Sequence, residues 1–162
     1  MFRTLTLASV MACAAAFSLA TGAMAADEYN VSTGLTGAGA PLGLHGVDPV
    51  AFIASGDPVV GTAQHTVLHD GVAYRFATAQ NSDAFQADPA AYLPQNGGFC
   101  TFGVSVGKKF DGDPDYAAII DDKLYVFLNE DIFKAFNTDR DGTITKAATN
   151  WKDIRSTAVE DL

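Results

Sequence analysis

The side chains able to do chemistry are few. They are a thiol at Cys100, imidazoles at His45, His65 and His69, and alternating carboxylates at Asp111, Asp113 and Asp115. Cys100 follows Gly97-Gly98, and a glycine pair permits close backbone approach and unusual dihedrals around a presented side chain. Lys108 or Lys109 would lower the thiol pKa if folded beside it. A free cysteine also packs well as a small hydrophobe, here between Phe99 and Phe102. Thiolate and imidazole together suit copper or zinc, so Cys100 with His65 and His45 is the candidate metal set. His65 and His69 do not pair on one ion. Four residues of strand span about 13 Å, whereas each ligating nitrogen lies about 2 Å from its metal. Of the two, His65 is the better ligand candidate.

The carboxylates at 111, 113 and 115 would suit a hard cation if the loop curled around it. Gly112 and Pro114 favour a turn with solvated acids instead. Residues 137 to 144 (NTDRDGTI) imitate the first eight positions of a calcium-binding EF-hand loop, but position twelve falls on Ala148, which removes the bidentate glutamate. The sequence has no G-x-S-x-G, H-E-x-x-H or C-x-x-C motif, so hydrolase, zincin and thioredoxin readings lack their central residues.

These groups must be positioned by small elements. Asp48-Pro49 suits a helix start, with Asp as N-cap and Pro at the first helical position. The segment HTVLH-DG-VAYRF is two alternating runs about Asp70-Gly71, a hairpin with a type I′ turn. The expected pairs are His69 with Val72, Val67 with Tyr74 and His65 with Phe76. Residues 78–93 read as helical in two pieces, restarted at Asp88-Pro89, and Phe99 to Val106 as a short strand. YAAII and KLYVFL form a second hairpin about Asp121-Asp122. Asn129 caps a helix carrying Ile132, Phe133 and Phe136, and Ile144 to Ile154 form a last short helix. No internal repeat is evident. The expected fold is α+β, a small single domain of two β-hairpins with short helices packed on them.

Composition bounds the function classes. The chain has 162 residues, 48% of them hydrophobic, which suits one domain with a buried core. Ten basic against 19 acidic residues leave little to build a phosphate-binding face, so nucleic acid is not an expected partner. Met1 to Arg3, the apolar stretch from Leu5 to Ala20 and Ala23-Met24-Ala25 read as a Sec-type signal peptide cleaved near Ala25, with periplasmic or secreted location. A lipobox-like Val10-Met11-Ala12-Cys13 is the competing reading. Cleavage would remove Arg3 and Cys13, leaving 9 basic and 19 acidic residues and the single thiol Cys100. No later segment approaches the roughly 20 apolar residues of a membrane span.

The motif order GVDPVAF, HTVLHDGVAYRFATAQNSDAF, DPAAYLPQNGGFC, GKKFDGDPD, DDKLYVF and ATNWKDI resembles the YHS domain-containing proteins, specifically the secreted bacterial single-domain subgroup. The resemblance runs from about Gly46 to Ile154. It divides the chain into a signal peptide (1–25), a flexible lead-in (26–45), the YHS-like domain (46–154) and a tail (155–162). It implies a small α+β fold, a metal-binding role, and a packing role for His69, which stands where the family usually has an aromatic residue. The chain departs from the family pattern at Val47, Ile53, Asn96 and Phe99, where relatives usually carry tyrosine or other residues, and has Ala77 and Ala79 where transporter-linked relatives carry cysteines. Two functions are expected as alternatives. One is a periplasmic binding protein for copper, zinc or a metal-linked ligand through Cys100. The other is a non-catalytic accessory protein in which Cys100 is structural and Phe99, Phe102, Tyr116 and Tyr125 line a core or partner surface.

Overall fold

The computed structural model describes residues 27–162. The segment expected to be a signal peptide, its expected cleavage site and Cys13 lie outside them. The element order is α1 (Pro49–Ser55), β1 (Thr62–His69), β2 (Val72–Phe76), α2 (Ala79–Ala87), α3 (Pro89–Tyr92), α4 (Thr101–Ser105), β3 (Asp113–Ile120), β4 (Lys123–Phe127), α5 (Glu130–Phe136) and α6 (Arg140–Ile154). Strands pair as two separate antiparallel hairpins, β1 with β2 and β3 with β4, so the fold is α+β.

Local chemistry sets most element ends. Asp48 caps α1 by accepting from the amides of Val50 and Ala51, with Pro49 at its first position. Thr78 caps α2 through the Asn81 amide, and Asn129 caps α5 through that of Ile132. Asp70 and Gly71 both take positive φ, as do Asp121 and Asp122, which is what a type I′ turn requires of its two central residues. His69 faces Val72 and Val67 faces Tyr74 as expected, but Phe76 faces Thr62 rather than His65. A bulge between Thr62 and Thr66 absorbs the extra residues. The segment expected as a strand from Phe99 to Val106 is instead helix α4, capped by Cys100.

The molecule is built from two copies of one unit, contrary to the sequence expectation of no repeat. Strands β3 and β4 and helix α5 each begin 51 residues after β1, β2 and α2 (62 to 113, 72 to 123, 79 to 130). The bulge recurs in register, between Asp113 and Ala117, with Asp113 facing Phe127. Gly61 and Gly112 are equivalent, and a Cβ at either would overlap Arg75 or Val126, the equivalent residues of β2 and β4. Before each hairpin lies a 3-10 turn with a left-handed residue, His45 at φ 50° and Asn96 at φ 54°. A helix with a side-chain N-cap follows each turn, at Asp48 and at Cys100. The cap amides make the same bond in both units, Asp48 N to Val59 O at 2.8 Å and Cys100 N to Phe110 O at 2.9 Å.

The core follows this duplication. Phe76 and Phe85 anchor the first unit and Phe127 and Phe136 the second, all fully buried. The ring of Phe85 lies 5.1 Å from Phe76 and that of Phe136 lies 4.3 Å from Phe127, tilted aromatic contacts that add to simple burial. Helix α6 begins 51 residues after α3, behind an N-cap Asp139 equivalent to Asp88, but runs for 15 residues where α3 has four. It packs on α4, where the Asn150 amide donates to the carbonyls of Val104 (3.0 Å) and Ser105 (3.1 Å) and satisfies the helix end.

Candidate functional site

Cys100 is an interior residue, 1% exposed, packed with Tyr125, Phe127 and Phe136. Its Sγ accepts from the Gly103 amide at 3.5 Å, and the amides of Leu128 and Phe102 also face it. Burial pushes the thiol above its ordinary pKa, more than these amides pull it down. The thiol is therefore protonated at neutral pH and serves as a helix cap.

Lys109 does not act on that thiol. It is 3% exposed, and its Nζ donates to the carbonyls of Asp27, Arg155 (2.9 Å) and Thr157 (2.6 Å). The ammonium also lies 5.2 Å from the Phe99 ring centre and 5.5 Å from that of Trp151. Desolvation pulls its pKa down, while three carbonyl acceptors favour the charged form. One buried cation thus fastens residue 27 to the chain that leaves α6.

The three candidate metal ligands do not assemble as one shell. His45 Nε2 lies 3.0 Å from Asp111 Oδ1, which also accepts from Asn30 Nδ2 at 2.7 Å. Cys100 bonds through its amide to Phe110, the neighbour of Asp111, and its side chain packs in the core. His65 sits half-buried on the bulged part of β1. Among the described residues, no three His, Cys, Asp or Glu side chains are grouped so as to hold an ion. His69 packs edge-on against Phe85 at 5.8 Å, as its position in the strand implies.

The remaining acidic motifs have local work. Asp113 accepts from the Asp115 amide at 2.9 Å in the bulged start of β3, so the expected turn over these acids is a strand end instead. The EF-hand imitation is overtaken by α6, which starts at Arg140, four residues before the expected Ile144. Asp139 caps it through the Gly142 amide at 3.0 Å, and Asn137 accepts from Arg140 Nε at 2.8 Å. Residues 137–148 therefore do not form a calcium loop.

A cleft of about 430 Å³ opens beside the second hairpin, within the range that small molecules occupy. Tyr125 of β4 lines it together with Leu93, Pro94 and Asn96 from the connection after α3. Ile144, Ala148 and Trp151 of α6 supply a second wall, and Glu28 and Tyr29 of the lead-in a third. Trp151 is fixed before any ligand arrives, held against Phe99 at 6.2 Å and under Lys109. Asn96 is buried and donates its amide to Thr101 Oγ1 at 3.1 Å. Burial raises the pKa of the Tyr125 hydroxyl, with Asp121 adding to the shift.

Its counterpart in the first unit shows what an occupied position looks like. Tyr74 is 2% exposed, with Tyr29, Val31 and Val67 packed on its cluster, and a Cβ on Gly43 would collide with its ring. The lead-in thus fills the space beside Tyr74, and the equivalent space beside Tyr125 is the cleft. Apart from Tyr125, sequence reasoning missed this site. Its signals were a 51-residue echo (VAYRF and KLYVF, then SDAF and FKAF) and the chain's single tryptophan. No family model, curated protein or solved structure matches this chain.

Proposed function

We propose that the chain is a non-catalytic binding module whose small-molecule ligand seats in the cleft between Tyr125 and Trp151. The carrying observation is the asymmetry of two equivalent tyrosines, Tyr74, 2% exposed with the lead-in packed on its cluster, and Tyr125, 8% exposed and bordering an open, aromatic-lined volume. Pre-fixed rings favour binding because less ordering remains to be done when the ligand arrives. The burial and capping role of Cys100 supports a structural thiol. The motif order from Gly46 to Ile154 supports membership of the YHS proteins, and the pattern from Arg3 to Ala25 supports an exported chain.

Trp151 is the chain's only tryptophan and lines the cleft, so its emission reports on occupancy. A fragment set titrated against the purified protein is expected to shift that emission. Ala148→Phe, at an exposed position of α6 that borders the cleft, is expected to abolish the response without lowering the unfolding midpoint. If no fragment shifts the emission, or if Ala148→Phe leaves the response intact, the cleft reading fails. Copper or zinc on Cys100 with His65 or His45 would require the thiol to leave its cap. One equivalent of Cu(I) or Zn²⁺ bound by the wild type and lost in Cys100→Ser would replace the cleft reading with a metal one.

A further inference from the structure

We infer that the cleft takes a neutral aromatic ring bearing a hydroxyl or N–H donor, the chemistry of a phenol or an indole. This rests on the cleft reading and narrows it by three independent features of the lining.

Ring shape comes first. Tyr29, Tyr125 and Trp151 all border the volume, and aromatic surfaces select flat rings over saturated ones of equal size through offset and edge contacts. Charge comes second. Glu28 and Lys152 line the cleft with one charge of each sign, and Glu28 is already 3.6 Å from Arg155. The negative face of an indole attracts cations, but Lys109 already sits 5.5 Å from the Trp151 ring centre, so a cationic ligand would meet a ring whose quadrupole is engaged. The net charge of -9 opposes an anion. A neutral ligand has neither conflict.

Hydrogen bonding comes third. One N–H of the Asn96 side chain goes to Thr101 and the backbone carbonyl accepts from Phe99, which leaves the amide oxygen and the second N–H to pair with a ligand. That oxygen is an acceptor, so it asks for a donor on the ligand. The Tyr125 hydroxyl, on a residue that lines the cleft, can give or accept a second one. A ring without a donor would leave a buried acceptor unpaired, and this is how a polar site discriminates against an isostere.

The test uses p-cresol, toluene and cyclohexanol as probes, with binding read by ligand-observed NMR and calorimetry on the wild type, Ala148→Phe and Tyr125→Phe. We expect p-cresol to bind at least ten-fold more tightly than either other probe, Ala148→Phe to abolish its binding, and Tyr125→Phe to weaken it several-fold. If cyclohexanol binds as well as p-cresol and is blocked by Ala148→Phe, the aromatic requirement is overturned while the cleft reading stands. If toluene binds as well as p-cresol, the donor requirement is overturned. If none of the three binds, the ligand class is overturned, and the wider fragment set decides separately whether the cleft binds anything.

Discussion

The two units share a backbone plan and differ in what fills it. At the helix cap, the first has Asp48, whose carboxylate accepts from the amides of Val50, Ala51 and Ala77 and from Asn81 Nδ2, all between 2.7 and 3.0 Å. The second has Cys100, facing the amides of Gly103 and Leu128, the latter equivalent to Ala77. The position equivalent to Asn81 is Ile132, so the second unit offers no side-chain donor there. A carboxylate and its amide partner were therefore exchanged, as a pair, for a thiol and an aliphatic side chain. Each unit is internally consistent, and neither cap would suit the other's surroundings. The same plan thus yields a polar hub in one unit and an apolar cluster beside an open cleft in the other.

The largest effect should come from the hub. Asp48→Ala leaves four part-buried donors without their acceptor, at roughly 1 kcal/mol each, so a loss of about 4 kcal/mol is expected in urea unfolding. Asp48→Asn keeps an acceptor and should recover much of it. Were Asp48→Ala to cost no more than Cys100→Ala, the contrast between the caps would collapse. Next comes Lys109, whose counterpart 51 residues earlier is Pro58, so that the first unit has no such clasp. Lys109→Met should cost about 2–3 kcal/mol, by orphaning three carbonyls and removing a cation–π contact. It should also shift Trp151 emission, which a purely local loss of stability would not do.

Cys100→Ala should cost about 1–2 kcal/mol, as small buried truncations do. Cys100→Asp should cost more, because it buries a carboxylate where Ile132 replaces the Asn81 donor. If Cys100→Asp instead stabilised the protein, the two caps would be interchangeable. Native Cys100 should resist thiol reagents until the protein is unfolded, in keeping with its burial and raised pKa.

What the sequence made legible was whatever acts locally. Asp48-Pro49, Asp70-Gly71 and Asn129 each specify a cap or turn within a few residues, and the structure has them where expected. The His65–Phe76 pair failed because a bulge is set by packing, here the close approach of Gly61 to Arg75, and period-two reading cannot register it. TFGVS was read as a strand because its apolar residues are β-formers, whereas the capping thiol and the packing of α6 make it a helix. The duplication was hidden because few identities survive between the units and the one-residue offset at the caps, 48 against 100, breaks simple alignment. The cleft was invisible for another reason. Its lining joins residues from positions 28 to 152, and only the fold brings them to one place.

The smallest effect concerns the seal over Tyr74, and pH can test it. Tyr29 donates its hydroxyl to Asp70 at 2.9 Å while lining the cleft and packing on the first unit's core. Burial, and then this bond to a carboxylate, push its pKa from 10.0 up to about 12. A group held neutral by the fold contributes stability that is present below its unfolded pKa and lost as pH rises through the folded one. The window is therefore pH 10 to 12. Wild type should lose more stability across it than Tyr29→Phe, by less than about 1 kcal/mol after allowance for solvent screening at this partly exposed residue. The same rise should loosen the lead-in and expose Tyr74, making the first unit resemble the second. Equal pH profiles for the two proteins would show that the hydroxyl bond to Asp70 does not hold the seal, and the closure of the first unit would then rest on apolar packing of Tyr29 and Val31 alone.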